Sequence, residues 1–185
     1  QFGIAPPTAG TWFAMMSAVL DQLPHAAAIT DMKIPGLPVT YCNPAMVQLT
    51  GYPKEHTQGR NCRFLQGKRT EAAAVRVMVS AIRAAKTTTV RVTNYRRDGS
   101  DFVNVCTLHP VHDSTGEYRY NIGILSDGAN KGAEGAALDK LRSVLPTKFD
   151  AAAQPKAFAE SVTKVDEPSA LKHWKAHVKS PAGDL

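Results

Sequence analysis

The sequence lacks any long hydrophobic run. None of its apolar stretches approaches the ~18 residues that a membrane span requires. The chain does not open with a basic segment followed by an apolar stretch, so we expect no signal peptide. Aromatic residues make up only 7% of the 185 residues, against 43% hydrophobic and 21% charged. This composition predicts one soluble globular domain with flanking segments.

Cysteine is scarce, and its spacing excludes two kinds of site. The three cysteines, Cys42, Cys62 and Cys106, contain no CxxC pair and cannot form an even-numbered disulfide framework. Neither a zinc site built from paired cysteines nor a disulfide-stabilised secreted fold is therefore expected. The pattern predicts free thiols and a cytoplasmic, reducing location.

The formal net charge is +6, but the basic residues look scattered along the sequence. Eight lysines, for example, are spread between Lys131 and Lys179. No basic stripe is interleaved with aromatic residues, as nucleic-acid recognition would favour. We therefore predict a dispersed positive surface, with no nucleic acid or membrane as partner.

Changes in composition divide the chain into three parts. Residues 1–23 form a Pro/Gly/Ala-rich leader and a helix at 11–23, with Thr11 as its cap. Residues 24–127 form the main domain. Residues 128–185 form an Ala/Lys/Pro-rich extension with a helix at 134–145. Beyond that helix, the chain either forms one short helix at 168–178 or is disordered.

Within the main domain, turn residues separate short segments of alternating polarity. Asn43-Pro44 opens a short helix that Gly51 ends, and Asp98-Gly99 indicates a hairpin. The predicted strands are 26–30, 39–42, 87–95, 101–111 and 118–127. A turn of helix is predicted at 61–66, a loop at 52–60 and the strongest helix at 71–86, with Thr70 as its cap. The order predicts an α+β fold with an antiparallel sheet covered by helices on one face.

The segment GRNCRFLQG, residues 59–67, carries unusual chemistry in a few residues. Arg63 is suited to bidentate phosphate binding, and Asn61 and Gln66 are suited to hydrogen-bonding a polyol or a heterocycle. Phe64 and Leu65 would supply apolar walls around the thiol of Cys62. From the residues alone, a buried and inert cysteine is an equally good interpretation.

A second cluster lies on the late strands. Period-two alternation places Phe102, Asn104 and Cys106 on one face of their strand. An asparagine among inward-facing apolar residues needs a hydrogen-bond partner. Together with Asn94 on the neighbouring strand, Asn104 suits a flat heterocycle with carbonyl and N–H groups on its edge. Exposed asparagines on a solvent face are the competing interpretation.

These motifs resemble the LOV domains, the flavin-binding branch of the PAS superfamily. The resemblance covers roughly residues 24–127 and includes GRNCRFLQG, NPAMVQLTGY, NYRRDGSDFVN, HPVHDSTGE and IGI in order. It implies a PAS fold with a five-stranded antiparallel sheet, helices on one face and flanking N- and C-terminal helices. It also implies bound FMN and a reversible photoadduct between Cys62 and flavin C4a.

The same resemblance assigns the remaining site residues. Asn61 and Gln66 correspond to ribityl contacts and Arg63 to a phosphate contact, whereas Asn94 and Asn104 correspond to contacts with the pyrimidine edge of the ring. Thr30, Val39 and Leu65 correspond to pocket-lining positions. Cys106 is expected to face the same pocket, where it either tunes the redox behaviour of the ring or simply packs. Cys42 is expected to pack.

Two positions depart from the family pattern. Val79 stands where a second phosphate-binding arginine is usual, so either Arg76 or Arg83 substitutes for it, or the pocket accepts riboflavin or FAD. Leu125 stands where a glutamine usually contacts the ring, and its side chain can neither donate nor accept a hydrogen bond. We expect the photochemistry to survive this change and the signal to follow another route.

Three functional classes remain open at this stage. The favoured one is a blue-light sensor, not an enzyme, with output through the flanking helices, through which it forms a homodimer. A flavin redox enzyme is disfavoured because there is no nicotinamide fingerprint and little room for a substrate site. A PAS interaction module with weak or no light signalling is the third class.

Overall fold

A computed structural model describes residues 11–129, 141 and 143–150. The helices are α1 (Trp12–Asp21), α2 (Pro44–Thr50), α3 (Lys54–Thr57) and α4 (Ala72–Arg83), with a 3-10 turn at Cys62–Leu65. The strands are β1 (Ala26–Asp31), β2 (Val39–Cys42), β3 (Thr88–Tyr95), β4 (Asp101–Asp113), β5 (Tyr118–Asp127) and β6 (Lys148–Phe149). Among these residues, no helix is long and apolar enough to span a membrane.

The sheet has the order β2-β1-β5-β4-β3, with every neighbouring pair antiparallel. This confirms the predicted α+β fold and its five antiparallel strands. A short sixth strand, β6, was not predicted. It pairs in parallel with β4 at His112 and Asp113, which extend beyond the last β3 pairing at Leu108. Strand β6 therefore occupies an edge of β4 that β3 leaves uncovered.

Local sequence signals explain where the elements begin and end. The Thr11 side chain accepts a hydrogen bond from Ala14 N and begins α1, as predicted. The Asn43 side chain caps α2 by accepting from Met46 N, and Gly51 ends that helix in the left-handed region at φ 72°. Gly99, at φ 87°, makes the predicted turn between β3 and β4.

Other sequence predictions were less accurate. Helix α4 is shorter than the predicted 71–86, and Glu71 rather than Thr70 precedes it. The Thr70 hydroxyl instead donates to Thr93 O and accepts from Gly67 N. Helix α3 lies within the predicted loop 52–60. The predicted helix at 134–145 lies mostly, and the one at 168–178 entirely, outside the described residues.

The sheet separates two apolar layers. Helices α2 and α4 and the 3-10 turn cover one face, called here the inner face. Helix α1 covers the opposite, outer face, where Trp12, Tyr120 and Phe149 stack with ring centroids 4.8–5.5 Å apart. Residues from both flanking segments are therefore part of one aromatic core over the outer face.

A β-bulge in β2 sets which residues face inward. Ile29 pairs with Tyr41 and Thr30 pairs with Val39, so Thr40 has no partner residue in the register. The Thr40 hydroxyl donates to Ile29 O over 3.1 Å. Because the bulge reverses the alternation, Tyr41 packs on the outer face while Val39 packs on the inner face.

Candidate functional site

The inner face and its covering helices enclose an apolar cluster that contains the candidate site. Across the strands, Cys106 pairs with Leu125 and Ala28 pairs with Gly123, which places small and apolar residues side by side. Met46, Leu49, Leu65, Met78 and Ile82 pack against them from the helical side. A flat apolar ligand would lie between these two walls.

Cys62 begins the 3-10 turn on the helical side of this cluster. The Asn61 side chain caps the turn by accepting from Arg63 N, and its Nδ2 donates to Gly36 O over 2.7 Å. The thiol is partly buried and packs with the apolar cluster. Burial raises its pKa to about 11, so Cys62 is a neutral thiol at physiological pH.

The other two cysteines belong to the same cluster. Burial raises the pKa of Cys42 to about 11, and burial together with the nearby Cys62 raises that of Cys106 to about 12. Cys106 is 7% exposed and lies on the sheet wall, facing the cluster that contains Cys62. Cys42 is buried and packs in the same cluster.

These raised pKa values predict a loss of stability at alkaline pH. The folded state keeps its thiols protonated over a range in which the unfolded chain loses those protons. The free energy of unfolding should therefore fall from about pH 9 upwards, by about 1 kcal/mol per buried thiol at about pH 10. Urea unfolding at about pH 8 and about pH 10 measures this loss. In the Cys106→Val variant, the loss of stability between these two pH values should be smaller by about 1 kcal/mol, because one buried thiol is missing. A loss equal to that of the unmodified chain would contradict the prediction.

Two buried asparagines form a polar pair in the otherwise apolar sheet wall. Asn104 is 1% exposed, and its Nδ2 donates to Asn94 Oδ1 over 2.8 Å. Asn94 Nδ2 donates to Thr93 O over 3.2 Å. Within the part of the chain that the structure describes, Asn104 Oδ1 is buried without any hydrogen-bond partner. Because such an atom is costly to bury, this oxygen fits a ligand with a hydrogen-bond donor on its edge.

The structure places two of the three predicted pocket-lining residues, Val39 and Leu65, in this cluster, where both are buried. Thr30 is half-buried on β1, next to its last residue. Leu125 is 5% exposed and lies between Ala26 and Cys106 in the register of the sheet. An apolar side chain thus occupies this position of the wall and offers no hydrogen bond to a ligand.

The residues predicted to hold a polar tail lie toward solvent. Arg63 and Arg76 are exposed, and neither guanidinium pairs with any described residue. Gln66 is partly buried, and its side-chain amide makes no hydrogen bond within the described residues. Arg76 lines an open groove beside Val77, whereas Met78 and Ile82 of the same helix pack in the inner cluster. Val79 is half-buried and follows Met78 on that helix.

Sequence reasoning did not identify the small residues of the sheet that face the site. Ala26 and Ala28 on β1 and Gly123 on β5 put three small residues on the inner face. The alanine run at 26–28 was the sequence feature that could have indicated these small residues. The run alone does not show which alanines face inward, because both faces of the sheet are apolar. Small side chains at these positions leave room for a flat ring against the sheet.

A five-stranded antiparallel sheet with one apolar face covered by helices defines the class of this protein. A family model described as "PAS domain" matches residues 26–127, so the chain belongs to the PAS family. Within that family, its thiol-bearing turn and paired asparagines place it among the LOV domains, in agreement with the sequence motifs and with the relatives described next.

Comparisons with known proteins agree on this branch. Phototropin-2 of Oryza sativa subsp. japonica is 36% identical over 149 residues, which cover 80% of this chain and 16% of phototropin-2. A blue-light-activated histidine kinase of Brucella abortus (strain 2308) is 37% identical over 117 residues, covering 63% of this chain and 24% of the kinase. The chain therefore spans less than a quarter of the length of these curated relatives.

A solved structure also matches across the same region. The LOV domain from the Erythrobacter litoralis EL346 blue-light activated histidine kinase is 39% identical, with a TM-score of 0.55. The match covers 57% of this chain and 97% of that LOV domain. The similarity therefore includes nearly the whole of a LOV domain.

Proposed function

We propose that this chain is the sensory domain of a blue-light receptor that binds a flavin non-covalently. The observation that carries the proposal is Oδ1 of Asn104, which is buried without a partner among the described residues, on the same face of β4 as Cys106, whose apolar cluster includes the neutral thiol of Cys62. A flavin ring has a donor-bearing polar edge for the asparagine pair and an apolar body for the walls. When bound and excited by blue light, the flavin would supply an electrophilic carbon, C4a, for a reversible bond to sulfur.

The protein's own contribution is to position the thiol and exclude water. The 3-10 turn holds Cys62 on the helical side, and Asn61 fixes the start of that turn through its backbone contacts. Tyr52 and Phe64, with ring centroids 4.9 Å apart, pack beside Cys62 against the cluster. A neutral thiol in an apolar environment is the form that the reaction needs, because breaking its S–H bond would free the sulfur, which stays on Cys62, to bond to C4a and would give its proton to flavin N5.

Absorption spectroscopy of the purified chain tests this function. Spectra are recorded in the dark, after blue illumination and during dark recovery. We expect a structured blue band that bleaches to a single near-ultraviolet band and then returns. Absence of flavin, or a flavin band that does not bleach, would contradict the proposal.

We propose FMN as the natural flavin, with Arg63 holding its phosphate. Arg63 is exposed, unpaired and one residue after Cys62, so its guanidinium is free to bind an anion. The predicted second contact at Arg76 is less direct, since Arg76 lines the open groove beside Val77. Arg63 therefore has to supply most of the phosphate recognition.

Arg63→Gln is expected to weaken FMN binding about 10- to 100-fold, the effect of losing one charge-assisted contact of about 1.5–3 kcal/mol. Riboflavin, which lacks the phosphate, should bind both proteins equally. Flavin fluorescence quenching on titration measures both affinities. Arg97→Gln, another exposed arginine, is the matched control. An equal loss for riboflavin would show that Arg63 acts on the fold and not on the phosphate.

The signal cannot use a side-chain amide at position 125 of β5, because Leu125 occupies it. Leu125 makes no polar contact, but it pairs in register with Ala26 and Cys106 on the two neighbouring strands. The alternate residues of β5, Ile122 and Ile124, face the other side of the sheet and pack in the outer cluster with α1. We propose that a shift of β5 or of Asn104 reaches α1 through this packing, and that α1 contributes to a homodimer.

A PAS interaction module without a light response is the second candidate. Val79 and Leu125 favour it, because both replace polar groups expected around the flavin with aliphatic side chains. The absorption experiment separates the two functions: flavin that fails to bind or to bleach supports the interaction module.

A further inference from the structure

The folded domain segregates its charge, contrary to the dispersed positive surface predicted from the sequence. Residues 60–97 contain ten lysines and arginines and a single acidic residue, Glu71. The rest of 11–129 contains three basic and eight acidic residues. The basic stretch forms a contiguous part of the fold: the 3-10 turn, α4 and β3. Positive charge is thus concentrated in the stretch of the fold that includes α4.

Several of these cations are available to a partner. Lys68, Arg76, Arg83 and Lys86 make no side-chain hydrogen bond or ion pair with any described residue. The one acidic residue of the stretch is already engaged, because Glu71 accepts hydrogen bonds from the backbone and hydroxyl of Thr93. No acidic group of the stretch is therefore free to neutralise this surface.

A groove of about 630 Å³ crosses the basic side between α4 and the start of β3. Arg76 and Lys86 lie on its walls, together with the hydroxyl-bearing Ser80, Thr87 and Thr88. Its apolar part includes Val77, which is 49% exposed, two alanines of α4 and the C-cap residue Ala84. Among the residues that the structure describes, no acidic one lines the groove. It combines an apolar strip with cations, as a surface that binds an amphipathic anionic segment requires.

The groove lies on the side of α4 away from the proposed flavin site. Met78 and Ile82 face the inner cluster, whereas Ala73, Val77 and Ala84 line the groove. These two sets occupy opposite faces of a helix with 3.6 residues per turn. The groove is thus a second surface, separate from the proposed flavin site.

We infer that this groove docks an acidic amphipathic helix of a partner protein. The apolar ridge of such a helix would lie on Val77 and the alanines, while its carboxylates would face Arg76 and Lys86. Ser80, Thr87 and Thr88 add hydrogen-bond donors at the edge. Desolvation of Val77 favours binding, and the cations select acidic partners over basic ones.

The surroundings favour a protein partner over other polyanions. The aromatic residues of 60–97 are Phe64, packed between Tyr52 and Arg60, and Tyr95, packed over Gly67. Neither ring is available to stack on a nucleic-acid base. A membrane surface needs a row of large exposed apolar residues, and Val77 is the only one described on α4.

Fluorescence anisotropy with a labelled helical peptide of ~20 residues, carrying a leucine stripe flanked by glutamates, tests the inference. The full chain should bind this probe at least about 10-fold more tightly than a peptide with glutamine for glutamate, and the preference should shrink at high salt. Binding that is equal for both peptides would overturn it. Tighter binding of a single-stranded RNA or of phosphatidylserine vesicles would overturn it in favour of those partners.

A double variant locates the surface. Val77→Glu/Lys86→Glu should weaken acidic-peptide binding at least about 10-fold, since it charges the apolar strip and reverses one wall cation. Val103→Glu/Lys54→Glu makes the same changes at an exposed valine and lysine elsewhere and should leave binding unchanged. Circular dichroism and flavin content confirm that both variants are folded. Equal losses in the two folded variants would show that net charge, not the groove, governs binding.

Discussion

Cys62→Ala is expected to abolish the reversible bleaching by blue light while leaving flavin bound. Cys62 is the one thiol on the helical side of the cluster, held in place by the 3-10 turn. Alanine keeps the apolar surroundings of that turn and removes only the sulfur and its proton. The flavin contacts assigned to Asn94, Asn104 and Arg63 are untouched, so the dark spectrum should persist.

Matched variants of the other two thiols make this result specific. Cys42→Ala and Cys106→Ala are expected to bleach and recover, although Cys106→Ala can change the recovery rate because that side chain lines the same cluster. Illumination of all three variants at equal flavin content is the measurement. Persistent bleaching in Cys62→Ala, lost only when Cys106 is also replaced, would assign the reaction to Cys106.

Asn43→Ala is expected to lower the free energy of unfolding by about 3 kcal/mol or more, the range for breaking a buried hydrogen-bond network. Asn43 is fully buried, and its side chain makes four hydrogen bonds of 2.8–3.0 Å. Nδ2 donates to Leu20 O and His25 O, while Oδ1 accepts from Ala27 N and Met46 N. In the alanine variant, all four backbone groups lose this hydrogen-bond partner. The junction between α1, β1 and α2 is therefore weaker.

Urea unfolding with Thr11→Ala as reference checks this prediction. Thr11 caps α1 with a single side-chain hydrogen bond, so its loss should cost about 1 kcal/mol. The Thr11→Ala variant gives the cost in free energy of unfolding of losing one helix cap. Any larger cost for Asn43→Ala then measures the loss of the junction between the three elements. A cost for Asn43→Ala no larger than that for Thr11→Ala would show that water or local rearrangement replaces the missing bonds.

The local features of this protein follow from short stretches of sequence. The Asn43-Pro44 start of α2, the Gly51 stop and the Asp98-Gly99 hairpin are predictable because each depends on residues within one turn. Alternation along β4 correctly put Asn104 and Cys106 on one face, since a strand has a fixed period of two. The sequence also contained the thiol-bearing turn at 61–66, whose cap is local.

What the tertiary structure alone decided depends on contacts between residues distant in sequence. The bulge at Thr40 reverses the alternation of β2, and it is stabilised by a hydrogen bond to Ile29 on another strand. Pairing of β3 with β4 brings Asn94 to Asn104 and leaves Oδ1 of Asn104 without a partner. The sheet order and the packing of the helices on it bring Cys42, Cys62 and Cys106 into one cluster. The sequence by itself determined the elements and the thiol, whereas strand pairing and packing decided what surrounds them, because burial and register are properties of the assembled sheet.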